Sequence, residues 1–515
     1  MVKVGQNRYS APAEMAFLLI TTVFLTVNDA YRTLTFVGTV GYFLHSPLVS
    51  PETHEPGPMK RLKHHDQIEL FSYVGTWLVT ASLIALLAGT ASALFLLSLD
   101  NATAWRESHS WMIWLLPLAG LVVGLVYSWY GEPVNAGNNL IIDEIHDPRK
   151  VVPIRMVPLV LGGTLISHLF GASVGREGTA VQMGGALADQ LTHMFKVKKD
   201  ARRILLMAGM SAGFSSVFGT PMAGAIFGME VLAIGRIRYD ALFPCLVAAV
   251  LADQVCLAWG VHHTHYRIDF IPAFTIWSFL SVVIAGAVFG LAGMVFSVAT
   301  GKASGIVKRY IKYAPLRPFF GGILIAAAVW FIGTDRYIGL GIPEIVRAFK
   351  EPLDPMDFMG KMGFTIVSLA TGFKGGEVTP LFYIGATLGN ALAPLLHMPF
   401  AFMSGIGFVA VFAGAANTPL ATTFMAMELF GTEMAVFSAV GCFTAYLFSG
   451  HTGIYHAQRV GHAKSRRYRT LVPSDLRISE ISAVRRKKYF ALSREENEIK
   501  KQPKNDKEVT MESSK

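Results

Sequence analysis

Charge is scarce in this chain. Asp, Glu, Lys and Arg make up only 16% of its 515 residues, where a soluble globular protein carries about 25%. With 52% hydrophobic residues and a mean hydropathy of +0.44, too few polar groups remain to cover a surface in water, which predicts an all-α polytopic membrane protein. Cysteine is nearly absent. Cys245, Cys256 and Cys442 are scattered through apolar sequence, which excludes a disulfide framework and a cysteine metal cluster. A phosphate-cradling GxxxxGK[ST] loop and a credible dinucleotide fingerprint are also missing, so an ATP-driven pump is disfavoured and no cofactor is expected.

Acidic residues are the scarcer sign, 35 against 45 Lys and Arg. In a soluble protein a net charge of +10 would suggest nucleic acid; here it fits the Lys and Arg excess of cytoplasmic loops, and no nucleic-acid partner is expected. Most of the excess lies after Tyr455, where sixteen Lys and Arg face eight acids and the run Arg485, Arg486, Lys487, Lys488 occurs. This predicts a cytoplasmic C-terminus and a solvated basic tail over 459–515, near anionic membrane lipid.

Long apolar runs cover 70–99, 111–130, 201–235, 241–261, 274–300, 319–333 and most of 361–450. Several are interrupted by Gly and Pro, as in transporters that place half-helix ends inside the bilayer. The stretch 15–44 is apolar but carries Asn28, Asp29 and Arg32 at its centre, a costly content for a span. It also lacks a signal-peptide pattern. Residues 1–58 are therefore expected to be an extension or an upstream start, and the transmembrane domain to occupy 59–458.

The chain repeats itself. Glu177, Thr179, Gly185 and Ala186 recur as Glu377, Thr379, Gly385 and Ala386 at an offset of 200. Gly209, Phe214, Thr220, Pro221 and Glu230 recur as Gly407, Phe412, Thr418, Pro419 and Glu428 at an offset of 198. Two agreeing offsets imply a duplicated unit, with halves at about 66–260 and 270–455 and a site near the midplane between them.

Three glycine-led helix starts are candidates for that site. In Gly175, Arg176, Glu177, Gly178 and Thr179, glycines admit a ligand close to the backbone, and free N–H groups at a helix start attract an anion. Glu177 is either a helix cap beside a lipid-facing Arg or a tethered anion that competes for the site and takes up a proton; the cost of an intramembrane carboxylate favours the second. Gly375, Gly376, Glu377, Val378, Thr379 and Pro380 form the second copy, with a hydroxyl donor and a second acid whose role is structural or proton-carrying. Gly137, Asn138 and Asn139 form the third, in which Asn is an amide donor or an ordinary N-cap.

Together GREG, GGEVTP and FGTPMAGAIFGME, in this order over roughly 66–459, resemble the CLC family of anion channels and proton-coupled anion exchangers. The resemblance implies an inverted-repeat fold of broken and tilted helices, a homodimer with one pathway per subunit, Glu177 as the gating glutamate, and Tyr455 of HTGIYHAQ as the anion-coordinating tyrosine. Departures point to the fluoride-exporting CLC-F branch: Asn138 replaces the coordinating serine of GSGIP, Thr179 follows GREG, and Val378 and Thr379 stand in the second motif. Val231 occupies the place of the inner proton glutamate. What the resemblance implies is a non-enzymatic fluoride/proton antiporter in a bacterial inner membrane. Gly137, Asn138, Gly178, Val378, Thr379 and Tyr455 then surround the anion, and Glu177 and Glu377 carry protons.

Other readings remain beside it. A chloride/proton exchanger or a passive anion channel has the same fold. The GxSxG match at Gly209, Met210, Ser211, Ala212 and Gly213 would suit a membrane serine hydrolase, but Val409 and Val411 stand at the equivalents of Ser211 and Gly213, which indicates a small-residue helix contact instead. His262, His263 and His265 are expected in an exposed loop between spans rather than at a metal.

Overall fold

The computed structural model describes residues 65–264, 266–465, 474–481 and 484. The expected extension, 1–58, lies outside the described residues. The described residues are mostly helical: α1 (His65–Ser108), α2 (Leu116–Tyr130), α3 (Asn138–His146), α4 (Met156–Leu169), α5 (Glu177–Met194), α6 (Lys199–Phe218), α7 (Pro221–Glu230) and α8 (Leu242–Ala258). After these come α9 (Ile276–Tyr310), α10 (Leu316–Ile332), α11 (Ile342–Ala348), α12 (Asp357–Thr371), α13 (Val378–Leu392), α14 (Phe400–Ala416), α15 (Pro419–Phe430) and α16 (Ala435–Phe448). Four helical stretches are long and apolar enough to cross a membrane, at 70–108, 110–130, 239–258 and 276–310. Most of the remaining helices are shorter, α3, α7 and α11 having only 9, 10 and 7 residues, well under the roughly 20 residues of a bilayer crossing.

Glycine lets the central helices touch. Between α5 and α6 a Cβ on Gly184 would meet the Gly209 carbonyl at 2.2 Å, and between α13 and α14 a Cβ on Gly385 would meet the Gly407 carbonyl at 2.1 Å. Both pairs thus close backbone against backbone, the packing that membranes favour where no hydrophobic gain separates helix from lipid. Ser211 lies in this packed layer. It is wholly buried, and its hydroxyl contacts the Ala225 carbonyl at 3.5 Å, so it joins α6 to α7 as the small-residue reading expects.

The two halves also exchange carboxylates. Glu428, near the end of α15, accepts from the N–H groups of Met222 and Ala223 at 2.8 and 2.9 Å, in the first turn of α7. Glu230, ending α7, accepts from Leu420 and Ala421 at 3.0 and 2.8 Å, in the first turn of α15. Each antiparallel helix therefore satisfies the orphan donors of the other, with hydrogen bonds to a charged group worth about 1.5–3 kcal/mol each. The matching of Glu230 with Glu428 in the sequence has this contact as its physical content.

The start of the tail is folded against the helices rather than solvated. Arg459–Val460 pairs in parallel with Ala233–Ile234. Arg459 binds Asp147 at 2.8 Å and Arg477 binds Asp143 at 2.9 Å, both at the C-terminal end of α3. Lys464 donates to Asn417 Oδ1 and the Tyr446 carbonyl, each at 2.6 Å, and lies 3.9 Å over the Tyr446 ring. These partners are distant in sequence, so composition alone reads the segment as free. The run at 485–488 lies outside the described residues.

Candidate anion site

Gly175 and Gly376 pair as a short antiparallel bridge, with N–H to carbonyl distances of 2.6 and 2.7 Å. This bridge joins the two glycine-led segments, and neither side tolerates bulk: a Cβ on Gly376 would meet the Gly178 nitrogen at 2.8 Å. The starts of α5 and α13 consequently converge on one point. Glu177 begins α5 and is 1% exposed. Its carboxylate accepts from the Thr379 N–H at 3.1 Å and from the Thr379 hydroxyl, and from the Arg176 N–H at 3.2 Å. Arg176 Nε adds an ion contact of 3.7 Å. A carboxylate from one half therefore sits on the N-terminus of a helix from the other, where orphan donors and the helix dipole favour negative charge.

Glu377 caps α13 and opens on a different space, a cavity of about 500 Å³ shared with Gly137, Asn138, Thr179, Lys374 and Tyr455. Lys308 and Arg317 also line it, and Glu377 is the single carboxylate among its lining residues. Gly137 holds φ at 60°, a conformation glycine adopts without strain, and α3 begins directly at Asn138 rather than after it. A Cβ on Gly178 would lie 3.3 Å from Asn138 Nδ2, which places that amide at the start of α5. Asn138 Oδ1 has no hydrogen-bond partner among the described residues. Tyr455 is 4% exposed and lies within electrostatic reach of Glu377 and Glu177. Val378 is buried at the first position of α13. Asn139 also lines this cavity, and its Oδ1 accepts from the Ala457 N–H at 2.9 Å, fixing the segment that carries Tyr455.

A second, small cavity reaches Glu177 and Thr379 without sharing a lining residue with the first. Glu177 and Thr379 line this small cavity and not the large one, whose carboxylate is Glu377. The profile described as voltage gated chloride channel matches residues 119–450 of the chain. The protein belongs to the CLC family. A "Chloride/fluoride channel protein" from Pseudomonas syringae pv. tomato is 64% identical over 450 residues, spanning 86% of this chain and 98% of that protein. The crystal structure of a CLC-type fluoride/proton antiporter is 34% identical and superposes with a TM-score of 0.73, covering 76% of this chain and 98% of that one. A slow cyanobacterial Cl⁻/H⁺ antiporter at 20% identity, with a TM-score of 0.65 over 72% of this chain, shows the fold alone.

In this CLC protein the site also contains groups that motif reading missed. Lys374, three residues before Glu377, donates to Asn135 Oδ1 at 3.2 Å and sits 4.0 Å over the Tyr127 ring. An aromatic layer lies beside the site: Phe382 stacks on Phe408 at 4.0 Å, Phe214 on Phe227 at 4.3 Å, and Tyr455 meets the Phe227 ring edge-on at 6.2 Å. Lys374 directly precedes the quoted GGEVTP, and was legible as a charge in an apolar run. The aromatic layer had no local signal, because its rings come from four helices and the segment after α16. Val231, at the end of α7, is fully buried.

Proposed function

We propose that the protein is a secondary active transporter that exports fluoride in exchange for protons, with Glu177 and the anion alternating at the N-terminus of α13. The observation that carries this reading is the Glu177 carboxylate held by both the N–H and the hydroxyl of Thr379. A group that binds a carboxylate oxygen in this way offers the same two donors to a small anion once the carboxylate takes a proton and leaves. The antiporter whose structure this chain resembles supports the choice of ions.

Fluoride is small and strongly hydrated, so it sheds water only where strong donors replace it. Asn138 and Thr379, with the backbone N–H groups at Gly178 and Val378, supply them, and Gly137 and Tyr455 complete the anion's surroundings. Glu377 meets the anion on the cavity side and carries the proton onward. With Val231 in place of an acid at the end of α7, the proton shares the anion's route through Glu177 and Glu377.

We assign the large cavity to the cytoplasmic side, on the ground that His456 and Tyr455 at the head of the basic tail line it. We assign 59–458 to the transport domain, with repeats at about 66–260 and 270–455, acting as a homodimer in the bacterial inner membrane among its lipids. The test is efflux from proteoliposomes loaded with fluoride or chloride and read by ion-selective electrodes. Fluoride leaving far faster than chloride is expected; equal rates would refute the assignment, and fluoride flux indifferent to protons would favour a passive channel.

A further inference from the structure

The histidine run between α8 and α9 is not the uniformly exposed loop its composition suggests. His262 is exposed and His265 lies outside the described residues, but the His263 side chain is only 11% exposed. Its ring lies against Gly219, the left-handed residue that ends α6 with φ at 70°; a Cβ there would meet the imidazole at 2.5 Å. Nε2 of His263 faces Asp253 Oδ1 at 3.5 Å. Asp253 is 6% exposed and belongs to α8, one of the long apolar spans. A carboxylate in that setting is expensive unless it is used.

His263 also lines the small cavity that Glu177 lines, together with Arg176, Tyr266, Thr379 and Phe382. The cavity volume is about 20 Å³, which is room for one water molecule. The facing charged and titratable groups are Asp253 from α8, Arg176 and Glu177 at the start of α5, and Tyr266 from the same loop, with Cys256 of α8 within electrostatic reach of Asp253 and Arg176. From α15, Glu428 lies within electrostatic reach of Asp253.

We propose that His263, oriented by Asp253, is the proton relay between Glu177 and the solvent on the side away from the large cavity. This rests on the antiport reading above. The step moves one proton and no electrons. Imidazolium at His263 gives a proton to the water in the cavity, that water gives one to the Glu177 carboxylate, and the products are neutral imidazole and a carboxylic acid. Imidazole then recovers its proton from bulk water on that side. Histidine suits the task because its ordinary pKa of about 6.5 lets it both hold and release a proton near neutrality. Asp253 faces Nε2, which orients the ring and leaves Nδ1 for exchange. Gly219 supplies the space in which the ring lies.

The experiment measures proton movement driven by a fluoride gradient in proteoliposomes, for the full-length protein and for His263→Gln, His263→Ala and Asp253→Asn, across pH 5 to 8. The relay predicts that His263→Gln slows coupled proton movement by about 10²-fold, in the range of a lost general acid or base. Added imidazole restores His263→Ala but not Glu177→Gln. Asp253→Asn removes the group that orients the ring and slows coupled proton movement, and adding it to His263→Gln slows the movement little further, because the two residues act as one unit. His263 variants with wild-type rates and pH profile would overturn the relay. A uniform slowing at every pH, without rescue by imidazole, would also overturn it, since a structural role predicts that pattern. Should His263→Ala fail to fold, the rates of His263→Gln, Asp253→Asn and their combination decide alone. A wild-type protein that moves fluoride without protons would instead remove the antiport reading.

Discussion

Glu177 and Thr379, 202 residues apart, are joined through both donors of the threonine, its backbone N–H at 3.1 Å and its hydroxyl. The carboxylate thereby occupies the place an anion would take at the start of α13. The hydroxyl bond is charge-assisted and worth about 1.5–3 kcal/mol. Thr379→Val therefore weakens the seat for carboxylate and anion alike and is expected to reduce coupled turnover about tenfold or more, while Thr379→Ser restores it. Fluoride efflux from proteoliposomes reads both, and an unaltered Thr379→Val rate would count against the hydroxyl.

Asn138 brings a neutral amide to the first turn of α5, next to Gly178. Shortening it to Ser removes the amide N–H donor and opens space that a larger halide fills more readily. Asn138→Ser is expected to lower the ratio of fluoride to chloride efflux, chiefly by raising the chloride rate. Parallel electrode traces on the two anions check it, and an unchanged ratio would remove Asn138 from the selectivity account.

Gly376 has no room for a methyl group, since its Cβ would approach the Gly178 nitrogen to 2.8 Å. Gly376→Ala forces the two helix starts apart, at a cost of about 1–3 kcal/mol typical of overpacking. Transport should fall sharply, with the protein still eluting from size exclusion at the wild-type position. Full activity would show that the bridge to Gly175 does not position the gate.

The ingredients of the candidate site were legible in the sequence for specific reasons. Glu177 and Glu377 stood out as carboxylates in apolar surroundings, and glycines on either side of them announced close backbone approach. Duplication then said that the two segments belong together. What local pattern could not supply is which groups meet across the halves. The seating of Glu177 on Thr379 depends on contacts over the whole fold, and so does the exchange of caps between Glu230 and Glu428. His263 looked like part of a polar loop because the surface that buries it, Gly219 and Asp253, comes from two other elements. The tail read as solvated because its counter-charges, Asp143 and Asp147, precede it by more than 300 residues.

That tail contact has its own pH dependence. The Arg459 guanidinium hydrogen-bonded to Asp147 holds its carboxyl below the usual range, so the contact contributes above the ordinary carboxylate pKa of about 3.9 and is lost as pH falls through the lower folded value. The attachment of 459–465 to α3 is expected to persist unchanged from neutral to mildly acidic pH and to loosen only below about 3.9. Hydrogen exchange of the 456–465 segment against pH measures it, with Arg459→Ala as the detached reference. Protection that fades already between pH 7 and 5 would assign the attachment to another group.

The central claim, that anion and proton exchange through Glu177, is tested most directly by imposing an outward fluoride gradient on proteoliposomes with no pH gradient and recording internal pH. The account predicts that fluoride leaving drives protons inward and acidifies the lumen, and that Glu177→Gln abolishes this acidification. Fluoride efflux without proton movement in the wild type, or coupled movement that survives Glu177→Gln, would contradict it.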